Sequence, residues 1–347
     1  MGVPPLRLVL AELTTLGVGG PAGAFVEVER VDDLVEALSR AATAGEPVLV
    51  LGGGSNVVVS DDGFPGVVLR IDIRGVQMQD DGDGAVTVTA GAGEDWSALV
   101  ERCVSEGLAG IECLSGIPGR VGATPVQNVG AYGQEVAETI TRLDVWDRAE
   151  QRTSVLWPAD MHFGYRDSYF KRSSRFVVTG VSFKLRRSQL SGPVRYAELA
   201  RRLGIGEGER ATLHEVAQAV MELRRAKGMV LDSRDPDTRS AGSFFTNPVL
   251  SVDAWEALRA VAPAVPGFAA EGGIKVPAAW LVEQAGFRRG YRKGGAAISS
   301  KHTLALTVRD GGTASDLLSL AREVHDGVRA RFGVNLVPEP VLVGLKF

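Results

Sequence analysis

An α+β or mixed α/β chain of two main parts is the fold class the sequence predicts, and three observations predict it. Amphipathic helical stretches alternate with short apolar runs through the first half, a polar stretch at residues 186–193 breaks the pattern, and a further set of helices and loops ends in one long helix. The expected division is residues 11–190 and 205–347. With 347 residues, 45% hydrophobic and 23% charged, the chain is long enough to bury more than one core.

Val31–Ala44 carries Asp32 and Asp33 in its first turn and apolar residues at Leu34, Leu38 and Ala41, which predicts an amphipathic helix with carboxylates at its positive end. Residues 47–51 read as a buried apolar strand running straight into Gly52-Gly53-Gly54-Ser55-Asn56. Strands are expected at 57–60 and around 67–71, bracketing a Gly/Pro turn, and at 85–89, where apolar and polar residues alternate. The turn Gly91-Ala92-Gly93 leads to a helix over 94–106 with Leu99, Val100 and Cys103 on one face, and further strands are expected at 142–146 and 175–185. Thr212 and Glu215 form a capping-box pattern opening a helix that runs to about Lys227. A loop rich in Asp and Arg spans 232–239, and the last helix, 314–331, has Leu317, Leu320, Val324 and Val328 at core spacing with Gly333 as terminator.

Composition excludes several classes of function. The net charge of −4, with basic runs as short as Arg186-Arg187 and Arg224-Arg225, argues against nucleic acid or anionic lipid as the main partner. No run of about 18 apolar residues is present, and the first residues carry neither a signal-peptide core nor Ser or Thr at position 6, so a cytoplasmic protein without a membrane partner is expected. Cys103 and Cys113 form no C-x-x-C, and His162, His214, His302 and His325 have no metal-ligand spacing, so no metal is expected and Cys103 reads as a buried free thiol.

The stretch from Leu114 to Gly133 holds five glycines and two prolines in twenty residues, which makes no ordinary helix or strand. It reads either as a long surface loop or as a wall of backbone and amide groups around a large polar ligand. Gly52-Gly53-Gly54-Ser55-Asn56 reads either as a turn or as a concavity of backbone N–H groups suited to a diphosphate. Gly17-Val18-Gly19-Gly20-Pro21-Ala22 fits the spacing of a dinucleotide fingerprint but fails its context, because Pro21 stands where the helix should begin and no βαβ unit surrounds it. Tyr165-Arg166-Asp167-Ser168 alone reads as a surface salt-bridge turn, and Ser243 lacks the G-x-S-x-G of a serine hydrolase. Glu339 lies between Pro338 and Pro340 and alone reads as an exposed carboxylate.

Taken in order, seven motifs are more specific than any one. Leu16-Gly17-Val18-Gly19-Gly20, the run from Leu51 to Asn56, Gly116-Ile117-Pro118-Gly119, the run from Pro125 to Gly133, Gly164-Tyr165-Arg166-Asp167-Ser168, the run from Ala241 to Pro248 and Pro338-Glu339-Pro340 together resemble the UDP-N-acetylenolpyruvoylglucosamine reductase (MurB) family, type I branch, from about Leu13 to Phe347. The resemblance implies an FAD-binding domain of the vanillyl-alcohol-oxidase or PCMH type, followed by an α+β substrate domain whose tail returns to the flavin. It implies NADPH-dependent, FAD-mediated reduction of UDP-N-acetylglucosamine enolpyruvate to UDP-N-acetylmuramate, with a monomer expected.

Residue by residue, the resemblance implies noncovalent FAD held by Gly52, Gly53, Gly54, Ser55, Asn56, Ser115, Gly116, Ile117, Pro118, Gly119, Gly122 and Ala123. Arg166 and Glu339 are implied to stabilise charge developing on the substrate carboxylate, with Ser243 as proton donor to the α carbon. Tyr196, Lys227, Asn247 and His302 match substrate-binding positions, although His302 stands where glutamine is expected and Pro-Glu-Pro replaces the commoner Pro-Glu-Val. A flavin oxidase of the same fold and a non-catalytic UDP-sugar or flavin-binding protein are the alternatives.

Overall fold

The structure, a computed structural model, describes residues 8–309 and 311–347. The first residues, read above for signal and acylation motifs, lie outside the described ones. Contacts divide the chain into two compact bodies. One comprises Gly23–Gly54 and Pro65–Ala226; the other comprises the described residues up to Ala22, Ser55–Phe64 and Lys227–Phe347.

In the first body the strand Phe64–Ile71 lies between Ala22–Val28 and Val48–Leu51, with Val48 opposite Val67 and Leu51 opposite Arg70 in a parallel register. Val31–Ala44 is a helix to the residue expected, closed by Gly45 in the left-handed conformation at φ 65°. A larger antiparallel sheet runs Arg152–Leu156, Ile140–Asp147, Phe176–Arg187, Ala85–Gly91, Val76–Gly82, and the helix Trp96–Ser105 packs its apolar stripe into the same core. Trp96 and Phe183, both fully buried, meet there with ring centroids 5.6 Å apart. The strand at Val48–Leu51 is less buried than its apolar sequence suggests: only Leu51 is fully enclosed, and Val50 is 39% exposed.

The polar stretch at 186–193 does not end this body. Phe176–Arg187 runs through its start, and Ser191 N donates to Ala211 O at 2.8 Å and Val194 N to Glu209 O at 2.8 Å. The reason is Glu112, wholly buried, whose carboxylate accepts from Gly110 N at 2.6 Å and Gly192 N at 3.0 Å and so gives the polar segment an internal anchor. The helix Leu213–Ala226, opened by the expected Thr212/Glu215 capping box, therefore stays with the first body, where Val216 and Val220 pack with Cys113, Val194 and Leu199. The division by contacts thus falls at Ala226/Lys227 rather than between 190 and 205.

In the second body an antiparallel sheet orders Ser240–Ser243, Ala305–Val308, Ala296–Ile298 and Arg292–Lys293. The helix Ala314–Phe332 supplies Leu317, Leu320 and Val324 to the core and ends at Gly333, φ 68°. Asp61 reaches its first turn, accepting from Ala314 N at 2.8 Å and Ser315 N at 3.0 Å, which neutralises the positive helix end. The C-terminal strand Val341–Val343 runs parallel to Val57–Val59, so the tail is tied to the segment just after Asn56.

Candidate active site

The first body brings its two glycine segments together. A Cβ added at Gly53 would lie 2.7 Å from the Gly119 Cα, and one at Gly52 would lie 3.3 Å from the Ala123 Cβ, so these loops approach backbone to backbone. The second segment is pinned from behind, since Trp96 N donates to Gly119 O at 3.1 Å and Gly122 N to Ala92 O at 2.9 Å. A Cβ at Gly122 would meet the Ala92 Cβ at 2.5 Å. Ser115, buried, donates to Glu112 O at 2.8 Å, and Ile117 packs on the core, with Gly116 (φ 70°) and Pro118 beside it in the turn. Of the two readings of Leu114 to Gly133, the simple surface loop does not hold: Leu114, Val121, Thr124 and Asn128 are buried. Two glycine-rich backbone segments facing each other fit a flavin dinucleotide, whose diphosphate and ring edge need N–H donors at close approach.

Arg166 is built into the same body by the run from Pro125 to Gly133. Its guanidinium donates to Asn128 O at 3.3 Å and to Gly130 O, and lies 3.7 Å from the Glu135 carboxylate. Asn128 holds the frame, donating to Glu135 Oε2 at 2.7 Å and Gly164 O at 3.0 Å and accepting from Ala137 N at 3.1 Å. Ser168 closes it with a 2.6 Å bond to Val126 O. Arg166 itself takes a left-handed backbone, φ 54°, and its side chain is 18% exposed, so it is no surface ion-pair turn; that role falls to its neighbour Asp167, paired with Arg172 at 2.6 Å.

Tyr196 starts the helix Ala197–Leu203 and packs edge-on against Tyr132 at 5.4 Å, remaining 42% exposed. Burial raises the pKa of both phenols, that of Tyr132 to about 12, so both stay protonated donors. Sequence reasoning missed Arg224, which is 8% exposed, its pKa pulled down to about 10 by burial, and whose Nε lies 3.6 Å from where a Cβ on Gly116 would be. A signal was present: Arg224 falls four residues after Val220 and eight after Val216, on the buried face of the helix.

In the second body Ser243 and Glu339 become neighbours. Phe245 pairs with Pro338, Thr246 N donates to Val337 O at 3.0 Å, and Glu339 N donates to Phe244 O at 2.8 Å. Flanked by prolines, Glu339 offers the one N–H of its triplet, and this bond uses it. On the far side Val341 N donates to Asn56 O at 3.0 Å, so Asn56, with Ser55 before it, shares the tail's anchorage. Ser243 ends a strand that carries one extra residue against its partner, Ser240 facing Thr307 and Ser243 facing Ala305, with Gly242 at φ 72° absorbing the bulge. Its Oγ lies 3.3 Å from His302 Nε2. Asn247 accepts from Ala278 N at 2.9 Å through Oδ1, capping the helix Ala278–Gln284, and Lys227 directly follows Leu213–Ala226.

The Gly17 fingerprint is a packing device. A Cβ at Gly20 would meet Asp61 O at 2.1 Å, and the segment leads into the strand Ala22–Val28 instead of a helix. Cys103 and Cys113 are both buried free thiols, burial raising the first to about 12 and the second further. Among the described residues no helix is long and apolar enough to cross a membrane, and no three His, Cys, Asp or Glu cluster as metal ligands.

A family model described as UDP-N-acetylenolpyruvoylglucosamine reductase, C-terminal domain, matches residues 235–343, and one described as FAD binding domain matches residues 22–153. The UDP-N-acetylenolpyruvoylglucosamine reductase of Thermobifida fusca is 53% identical over 97% of this chain and 97% of its own length. That of Salinispora arenicola is 52% identical over 98% of this chain and 96% of its own. Among solved structures, UDP-N-acetylenolpyruvylglucosamine reductase (MurB) from Thermus caldophilus matches with a TM-score of 0.66 at 27% identity, covering 97% of this chain and 98% of that one. The flavoprotein fold expected from the motifs holds. With family models on both halves and relatives more than half identical along nearly the whole length, the chain belongs to the UDP-N-acetylenolpyruvoylglucosamine reductase family and is an FAD-dependent oxidoreductase.

Proposed function

We propose that this protein reduces UDP-N-acetylglucosamine enolpyruvate to UDP-N-acetylmuramate with NADPH, as a cytoplasmic monomer, in the peptidoglycan precursor synthesis on which cell-wall biogenesis, cell shape and division depend. FAD, held noncovalently, would supply the hydride chemistry when bound, with NADPH as the reductant. The chain's own residues handle charge and the proton. Arg166, its guanidinium held by two backbone carbonyls, is a prepositioned cation for the carboxylate on which negative charge grows. Glu339, in its acid form, donates a hydrogen bond to that carboxylate, and Ser243 delivers the proton to the α carbon. Tyr196, Lys227, Asn247 and His302 are assigned to the UDP-sugar, Asn247 through its Nδ2 group.

The adjacency of Ser243 and Glu339 carries this reading. The α carbon and the carboxylate are bonded to each other, so the proton donor to one and the partner of the other must lie close, and the bond from Glu339 N to Phe244 O, one residue after Ser243, supports this by bringing the two backbone segments together. Noncovalent flavin is supported by the absence of His and Cys from residues 52–56 and 115–124, and by the burial that keeps Cys113 a thiol.

The test is anaerobic. NADPH should bleach the yellow protein, and the enolpyruvyl substrate should restore its colour and yield UDP-N-acetylmuramate, with parallel initial-rate lines for the two substrates. Rapid oxygen consumption with a sugar alcohol, or colour remaining on the acid-precipitated chain, overturns the assignment.

A further inference from the structure

His302 is placed against Ser243 by more than one chance contact. It sits in the turn joining Ala296–Ile298 to Ala305–Val308, and the second of these strands pairs with the one that ends in Ser243. Phe244 N donates to Leu304 O at 2.8 Å, and the turn is closed by Ala305 N to His302 O at 3.1 Å and Ser299 N to Ala305 O at 2.8 Å. Two carboxylates then clamp it from outside. Asp237, 6% exposed and ion-paired to Arg309, accepts from Ser300 N at 3.1 Å and Ser300 Oγ at 2.5 Å. Glu283 accepts from Thr303 Oγ1 at 2.5 Å. The residues on both sides of His302 are thus fixed, and its Nε2 stands 3.3 Å from Ser243 Oγ.

A serine hydroxyl is a weak acid for a carbon protonation, and its orientation decides whether it can act at all. A neutral imidazole accepting at Nε2 draws the serine proton toward itself, away from any substrate. An imidazole donating from Nε2–H leaves the serine proton to point elsewhere. We propose that His302 is a positioning residue for Ser243: it donates Nε2–H to Oγ, and as the serine gives its proton to the α carbon it passes that hydrogen on to Oγ. The inference rests on the assignment of Ser243 as proton donor. The step balances: Oγ–H breaks as Cα–H forms, Nε2–H breaks as Oγ–H reforms, and a protonated imidazole ends neutral, to be recharged by solvent. The hydride that completes the reduction is the one the proposed activity already provides.

The charged form is the one that can pass a proton, so the protonation step slows as pH rises through the titration of His302. The charged groups on the elements around it are Lys301 with its partner Asp235, the Asp237–Arg309 pair, Glu283, Glu339 on the tail paired to Phe244, and Lys227 after the preceding helix.

Two measurements test this. Long-range proton–nitrogen NMR of the holoenzyme resolves its four histidines. Ser243→Ala should shift the titration or tautomer of His302 and leave His162, His214 and His325 in place; an unmoved His302 overturns the coupling. In stopped flow, the phase driven by the enolpyruvyl substrate should fall with rising pH in the wild type. In His302→Gln, whose amide donates a hydrogen bond but passes no proton, the phase should lose this pH dependence and run about tenfold slower than wild type at the acid end. A His302→Gln profile with the wild-type slope overturns the relay. A wild-type chain without turnover of this substrate overturns the proposed function and the relay with it, and is recognised because the NMR coupling persists.

Discussion

Gly53→Ala tests the backbone-to-backbone cradle with little else disturbed. The φ of Gly53 is not among the positive ones, so alanine meets no Ramachandran strain there, and the whole effect comes from its methyl group. That group would sit 2.7 Å from the Gly119 Cα and 3.2 Å from the Gly119 carbonyl carbon, against the 3.4 Å at which ordinary contact begins, so the two loops must separate by about 0.7 Å. The Gly119 loop does not yield easily, since it is held from behind by Trp96 N. Overpacking of this kind costs about 1–3 kcal/mol. If FAD requires the closed cradle, its affinity falls by the same free energy, about 5- to 150-fold. Gly192→Ala is the control: its φ also permits alanine, and nothing lies within 4 Å of its Cβ. Titrating flavin-free protein with FAD, followed by quenching of flavin fluorescence, gives the dissociation constant of each variant, and thermal melts of the same samples read the strain as about 2–4 °C per kcal/mol. Equal affinities for Gly53→Ala and Gly192→Ala would refute the cradle as the flavin site.

Ser243→Ala should leave bleaching by NADPH near normal and slow the phase driven by the enolpyruvyl substrate by at least ~10²- to 10⁴-fold, while Ser243→Cys keeps more of it; a wild-type second phase in the alanine variant removes Ser243 from the mechanism. Asp147, bound by the Arg175 guanidinium at 2.7 Å, has its carboxyl held down to about 2, chiefly by that hydrogen bond. A depressed carboxyl stabilises the fold above its unfolded value of about 3.9 and loses that contribution as pH falls toward about 2, so melting temperatures of wild type and Asp147→Asn should differ at pH 6 and converge at pH 2. A difference that stays constant across that window shows that the pair is not the source.

The parts of this molecule that could be read from the sequence are those with local punctuation. Val31–Ala44 begins with two aspartates and stops at Gly45, and Ala314–Phe332 stops at Gly333; each boundary is a property of residues next to it. Val76–Gly82 escaped notice because, lying at the sheet's edge, it has no buried residue to set an alternation. The short helices Ala197–Leu203, Val252–Val261 and Ala278–Gln284 offer too few turns for a period to stand out. The site divides along the same line. The chemistry proposed for Ser243, Glu339 and Arg166 starts from residue types in motifs, but their surroundings come from pairings between strands of two to four residues and distant turns. Phe245 meets Pro338, Ser243 faces Ala305, and Gly53 backs onto Gly119, each across a stretch of chain too long for spacing to encode. Glycine and proline, which mark such places, reveal only that the backbone does something unusual there. His302 shows the limit: as a residue it was an unexplained departure from glutamine, and the role proposed for it arises only from the turn that closes beside Ser243.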